Sequence, residues 1–199
     1  MKAARVRLSD GEVAWVRGLH PADVPAVRAL HVHLSDRDRY YRFFGLGPAG
    51  AAKLAAHLSD DSGTGHGALG CFLHGRLVGV AQYEVLEDPD EAEIALVVDA
   101  PTRAHGVATL LLEHLIDVAG QKGVRRFVAD VLAENSKMLG VFAALGLPIR
   151  TSASSPERHV ILSLDPTRDY RDAVARRAAA AAAARPWPGS ADGSAECGC

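Results

Sequence analysis

RAHGVATLLLEHL, residues 103–115, sets a glycine among small residues and runs directly into apolar positions at helical spacing. Upstream, AEIALVV (92–98) reads as a strand and DAPTRAH (99–105) as a short turn, so Gly106 stands where a strand hands over to a helix. At such a junction the first N–H groups of the helix lack intrahelical acceptors, and the helix dipole favours negative charge. A pyrophosphate fits there. Gly106 lets the backbone approach a phosphate, Ala108 keeps the next turn low, Thr109 adds a hydroxyl, and Arg103 and His105 add side-chain donors.

The pattern R-x-x-G-x-A is weak alone, since an Ala- and Gly-rich chain yields it by chance in about one sequence in three. Its neighbours narrow the choice. No Gly-Lys-Ser/Thr follows, which excludes a nucleotide-hydrolysing P-loop, and GxGxxG is missing, which argues against dinucleotide binding. Toward the N-terminus, ARVRLSDGEVAWVRGL (4–19) alternates around Ser9-Asp10-Gly11, the signal of a hairpin. Val24, Val27, Leu30 and Leu34 give a helix after Pro21, with Ser35 able to cap a second short helix through DRDRYYRFFG, ended by Gly45 and Gly47. AGAAKLAAHL (49–58) reads as another short helix, and the glycine-rich DDSGTGHG (60–67) leads into the strand ALGCFL. His74-Gly75-Arg76 turns the chain into LVGVAQYEVL (77–86). The quoted helix runs to about Gln121 and stops at Gly123; RRFVADVL is a strand, NSKMLGVFAAL a helix ended by Gly146, and RHVILSLD a last strand. Strands and helices interleaved after an antiparallel start predict an α/β sheet with helices on its faces.

With 199 residues, 48% hydrophobic, the chain has room for one sizeable core, which predicts one domain over 1–165 and a tail over 166–199. The tail's RDYRDAVARRAAAAAAAR has helical propensity but no hydrophobic stripe, and PWPGSADGSAECGC reads as disordered, so the whole segment is expected to be largely disordered or to dock a partner. Net charge is -2, and no basic stripe interleaves with aromatics, which argues against nucleic acid or an anionic membrane as partner. Cys71, Cys197 and Cys199 make neither a disulfide framework nor a four-ligand zinc site. With no apolar leader and no apolar run of membrane length, a reducing cytoplasm is expected. Arginine far outnumbers lysine, in keeping with a GC-rich bacterial genome.

Arg103-Ala104-His105-Gly106-Val107-Ala108 resembles the acyl-CoA-binding motif Q/R-x-x-G-x-G/A of the GNAT acetyltransferase superfamily, found between that fold's fourth strand and third helix. The resemblance runs from about Val6 to Leu164 and includes the opening hairpin, the paired helices, the Asn of VLAENSKM and the final antiparallel strands. LSDRDRYYRFFG, EDPDEAEIALVV and RRFVADVLAEN are further similar to the acetyltransferase part of bacterial protein-lysine acetyltransferases, often fused to an acyl-CoA synthetase-like domain. The resemblance implies a mixed, mostly antiparallel sheet flanked by helices with strands four and five splayed, acetyl-CoA as cosubstrate, and no metal. It implies that N–H groups of residues 104 to 109 hold the pyrophosphate. Backbone near Val97 and Val98 would pair with the pantetheine arm, an amide around Val98 would polarise the thioester carbonyl, and Asn135 would bond the cofactor arm.

Transfer to an amine needs a held thioester, a neutral amine and a destination for the proton. Glu93 is the candidate general base. Alternation in EAEIALVV puts Glu93, Ala95 and Val97 on one face, so a carboxylate shares a buried-looking strand with the expected thioester site, and partial burial equips a carboxylate to accept a proton near neutrality. General-base assistance of this kind is worth about 10²–10⁴-fold in rate. In the protein-lysine acetyltransferases that this chain resembles, a Glu of the matching strand has that role. Phe142 stands near where many relatives carry a Tyr that protonates the leaving thiolate, so the general acid has no assignment. The RYYRFF helix region borders the acceptor groove in the family, which points to Arg39, Tyr40 and Arg42 as contacts to the substrate.

Other features are set aside. His31-x-His33 points two rings apart on a helix, His66 reads as loop filler able to line the acceptor site, and Cys71 reads as core. The expected function is N-acetylation from acetyl-CoA, the favoured acceptor being a protein lysine, such as one on an acyl-CoA synthetase. Acetylation of a small amine and a noncatalytic acyl-CoA-binding regulatory module are the alternatives.

Overall fold

The computed structural model describes residues 2–35, 37, 55–58, 65–154 and 156–183. Among these, eight strands form a single sheet: β1 (Ala4–Arg7), β2 (Val13–Gly18), β3 (His66–Leu73), β4 (Arg76–Val85), β5 (Glu91–Val98), β6 (Arg126–Leu132), β7 (Ile149–Ser154) and β8 (Glu157–Ser163). Their spatial order is β1-β2-β3-β4-β5-β6-β8-β7. Among the described residues, four helices with complete bounds flank it, α1 (Val24–Val32), α2 (Val107–Gln121), α3 (Ser136–Ala144) and α4 (Arg168–Ala183), and residues 55–58 are helical as well.

Turn chemistry sets the hairpins. Gly11, at φ 94°, closes β1–β2 with the Gly11 N–H on the Leu8 carbonyl at 3.0 Å. His74 (φ 50°) and Gly75 (φ 77°) form the two-residue loop between β3 and β4, where two positive φ values match the twist of the paired strands. β7 is the strand that sequence reading passes over: IRTSAS is short and polar, and its pairing with β8 makes it the sheet's edge.

Every neighbouring pair is antiparallel except β5–β6, which is parallel because α2 carries the chain back over the sheet between them. That pairing covers only Glu91↔Arg126, Ala92↔Phe127 and Glu93↔Val128. Beyond it β5 stays on β4 to Val98, while β6 stays on β8 to Leu132. The two strands therefore part after Glu93. They are the splayed pair that the resemblance implies, since the motif that follows the family's fourth strand here follows β5.

The sheet is covered on both faces. On one, α2 buries Val107, Leu110, Leu111, Leu112, Leu115 and Ile116 against Val78, Ala81, Tyr83, Ile94 and Phe127. On the other, Val27, Leu30 and Leu34 of α1 and its end, with Ala55 and Leu58, pack on Leu77, Val80 and Val97. The Arg17 guanidinium ties β2 to the start of α1, bonding Asp23 at 2.6 and 2.8 Å and lying 4.0 Å over the Phe72 ring. It holds the Asp23 carboxyl below the usual carboxylate range.

Two expectations change. Residues 168–183, read as part of a tail outside a 1–165 domain, form a docked helix. Tyr170 is 8% exposed, Val174 packs on the main core, and Arg177 Nε donates to the buried Glu113 carboxylate of α2 at 3.0 Å. The stripe went unseen because it consists of one aromatic, one valine and the stem of an arginine whose charge has a partner across the chain. His31, whose spacing from His33 points to a surface or boundary histidine rather than a metal ligand, is instead 1% exposed, with Nδ1 2.8 Å from the Val27 carbonyl one turn back. No described helix is long and apolar enough to cross a membrane.

Candidate active site

Because β5 and β6 are parallel, the segments leaving their C-terminal ends lie at one end of the sheet, and these are the Arg103–Thr109 turn and Asn135. Gly106 caps α2 in the left-handed region at φ 84°, and Ala104 stands at φ 69°. A Cβ built on Gly106 meets nothing within 4 Å, so the space in front of the helix is open. The Leu110 N–H takes the Gly106 carbonyl at 3.0 Å, and the N–H groups of Val107, Ala108 and Thr109 come before any intrahelical acceptor. Open space, free donors and a positive dipole end together fit a pyrophosphate.

Packing fixes the turn in place. Val107 is 1% exposed and lies over Gly79 of β4, where an added Cβ would come within 2.9 Å of Val107 Cγ1 and 3.0 Å of Leu111 Cδ1. A glycine at 79 is what lets the first turn of α2 sit this close to the sheet. From the other side the β1–β2 turn leans in. Ser9 N–H donates to the His105 carbonyl at 3.1 Å, Ser9 Oγ to the Ala104 carbonyl at 3.3 Å, and His105 Nδ1 lies 2.7 Å from Asp10 Oδ2. Sequence reading made Arg103 and His105 side-chain donors to the anion. Both are otherwise engaged, Arg103 with Nε on the Val98 carbonyl at 3.2 Å and His105 with Asp10.

β5 is the open edge. The Asp99 N–H bonds the Val78 carbonyl on β4 at 2.8 Å, so alternation turns Val97 toward β4 and the N–H groups of Val98 and Leu96 toward the gap left by β6, the Ile94 N–H being used in the last parallel pairing, Glu93↔Val128. These are unpaired sheet positions of the kind an extended chain can join. Asn135 caps α3, its Oδ1 accepting the Met138 N–H at 3.2 Å. That capping role was not read from the sequence, although Asn before an apolar helix is its ordinary signal. It leaves the side-chain NH₂ with no acceptor among the described residues.

Glu93 stands where β5 and β6 part, on the α1 side of the sheet. It is exposed rather than half-buried, although strands flank it on both sides, with Glu84 and Val128 as its neighbours. Its cross-strand neighbour is Glu84, whose Oε1 lies 2.6 Å from His57 Nε2. Glu93 and Val98 are five residues apart on one strand, about 17 Å at a strand's rise. A base reaches its proton directly or through one water. A carbonyl polarised by Val98 would thus be out of reach of Glu93, and the open-edge N–H nearest Glu93 is that of Leu96. Phe142, where relatives carry a Tyr, is 2% exposed in the main core and offers no proton. Arg39, Tyr40 and Arg42 lie outside the described residues. Sequence reading missed Glu84 and His57, whose one available signal was the polar spacing of Gln82 and Glu84 in an otherwise apolar strand.

Residues 31–147 match the profile of the acetyltransferase (GNAT) family. An acetyltransferase of Pseudomonas aeruginosa is 28% identical over 143 residues, covering 70% of this chain and 77% of that protein. The crystal structure of the GNAT domain of PAT from S. lividans superposes with a TM-score of 0.74 and 30% identity, over 81% of this chain and 96% of that one. The yncA protein of Salmonella typhimurium, solved with its cofactor acetyl-CoA, shares the fold at a TM-score of 0.62 with 16% identity, over 76% of this chain and 94% of that one.

Proposed function

Because the chain belongs to the GNAT family and is an acetyl-CoA-dependent N-acetyltransferase, we propose that its acceptor is a lysine of a protein, with a bacterial acyl-CoA synthetase as the favoured target. The setting is the cytoplasm. The observation that carries the site assignment is the parting of β5 and β6 directly after Glu93, which opens one strand edge from that carboxylate to the Gly106 turn. Support for a protein acceptor comes from the sequence resemblance to protein-lysine acetyltransferases and from the similarity to the PAT GNAT domain.

In this reading the N–H groups of Ala104 to Thr109 hold the pyrophosphate, with Gly106 keeping the approach clear. Val97 shapes the floor beneath the arm, the Val98 and Leu96 peptide groups pair with it, and the Asn135 NH₂ bonds it from the β6 side. Bound acetyl-CoA supplies the thioester carbonyl that the amine attacks and a thiolate that departs without a protonating side chain, a thiol of pKa about 8.5 being a tolerable leaving group. The N–H of Leu96 steadies the charge that develops on the carbonyl oxygen. Glu93 takes the proton of the incoming ammonium, directly or through one water, and its exposure lets that proton pass on to solvent. Arg39, Tyr40 and Arg42 contact the substrate protein.

A second reading, acetylation of a small polyamine, has one observation in its favour: Glu84 opposite Glu93 puts two carboxylates side by side where a cation would arrive. The test is transfer of labelled acetyl from acetyl-CoA to a panel of the host's acyl-CoA synthetases and to polyamines, by wild type and Glu93→Gln. Labelling of a synthetase lysine that is lost in the variant is expected. Labelling of polyamines alone overturns the protein acceptor, and equal labelling by the variant overturns the base.

A further inference from the structure

We propose that His57, His66 and Glu84 form a binding site for a divalent transition-metal ion, Zn²⁺ above all, on the α1 face of the sheet beside Glu93. Three separate pieces of chain deliver the three side chains. His66 opens β3 and stands directly across from Glu84 of β4. His57 comes from the helical residues 55–58, which are pinned to the sheet by Ala55 (0% exposed) and Leu58 (2% exposed), so that their third residue projects from the packed face.

The resulting group is compact. His57 Nε2 lies 2.6 Å from Glu84 Oε1, the two imidazoles stack at 4.7 Å between centroids with 28° between planes, and one ligand atom from each of the three residues falls within 4.8 Å of the others. Ligands around a tetrahedral zinc, each about 2.0–2.1 Å from the ion, stand about 3.3 Å apart. The adjustment needed is of the order of an ångström. Side-chain rotation can supply it, because the His57 and Glu84 side chains are 48% and 37% exposed.

The donor set selects the ion. Two imidazoles with one carboxylate form a mixed nitrogen and oxygen set that suits zinc with a water in the fourth position, whereas calcium and magnesium prefer oxygen ligands throughout. Glu93, in register beside Glu84, adds negative charge that favours a dication without being needed as a ligand. This ion is a ligand of the acetyltransferase rather than a participant in acetyl transfer.

Calorimetric titration of zinc chloride into the full chain, freed of metal and carrying Cys197→Ser and Cys199→Ser so that the terminal thiols do not compete, tests the proposal. One saturable equivalent is expected, with affinity reduced by at least about tenfold in His57→Ala and in His66→Ala and retained in His33→Ala. Cobalt in place of zinc should give the visible absorption of a four-coordinate ion, lost in the same two variants. Thermal unfolding without metal should be alike in all of them, and added zinc should raise the midpoint only where both histidines remain. Absence of a saturable equivalent, or affinity unchanged in the His57→Ala, His66→Ala double variant, overturns the site.

Discussion

The two ends of β5 are built by different means. At Val98 the strand leads into a turn whose binding groups are peptide N–H groups, placed by two positive φ values, a helix terminus and a glycine on the neighbouring strand. At Glu93 the same strand meets side chains, Glu84 from β4 and, through it, His57 from residues 55–58. A backbone cradle tolerates changes of side chain so long as the main chain keeps its path, and a side-chain cluster tolerates none at its members. Cofactor binding and acceptor chemistry should therefore separate cleanly under mutation.

The largest effect should come from the Glu93 end. Glu93→Gln is expected to lower turnover by about 10²-fold or more while leaving acetyl-CoA affinity within about twofold, measured by steady-state kinetics beside calorimetry. Equal losses in both would mean that the two ends are not independent. Gly106→Val attacks the other end. A β-branched residue at φ 84° costs about 1–2 kcal/mol or more in backbone strain, so the turn should shift and acetyl-CoA affinity fall about 10- to 30-fold. Turnover at saturating acetyl-CoA should hardly change.

Asn135→Ala sharpens the contrast, because this residue serves both architecture and cofactor. Loss of the cap should cost about 1 kcal/mol in denaturant unfolding, and acetyl-CoA affinity should weaken a few-fold. A loss of stability alone would take Asn135 out of the cofactor site. The smallest effect near neutral pH concerns groups at neither end. Burial pushes the Cys71 thiol and the Tyr170 hydroxyl up to about 12, against ordinary values of 9.0 and 10.0. In the unfolded chain both ionise sooner, so the stability they contribute is complete below about pH 8 and erodes as pH rises through 9 toward 12. Urea midpoints should be level from pH 7 to 8 and fall above 9, with Cys71→Ala flattening the first part of the fall.

The same contrast explains what could be read from sequence. The Gly106 turn was legible because its parts are consecutive: a strand, a short turn, a glycine and an amphipathic helix, each with its own local signal. The ends of α2 followed from such signals, whereas the sheet's mixed character came from the family resemblance. The acceptor end was not legible in the same way, because residues 57, 66, 84 and 93 meet only once β3, β4 and β5 are in register, and no spacing along the chain encodes that. Alternation did group Glu93 with Val97 on one face of β5, but its exposure depended on what the folded chain packs over that face. Arg103 and His105 show the opposite limit. Their position in the motif was evident, yet their partners, Val98 and Asp10, were set by folding.

α4 alters what counts as the autonomous unit of this chain. A cut at the composition change near residue 165 would spare every strand and still remove the cation that neutralises Glu113, whose side chain is 4% exposed. Removing that cation alone, as in Arg177→Met with α4 left in place, strands a buried carboxylate at a cost of about 3–5 kcal/mol, a large fraction of what holds a domain of this size together. Glu113 lies on α2, the helix whose first-turn N–H groups are proposed to face the pyrophosphate. The alanine-rich segment thus acts as a counter-charge for the helix that carries the proposed cofactor turn, and truncation there would act on that helix at Glu113.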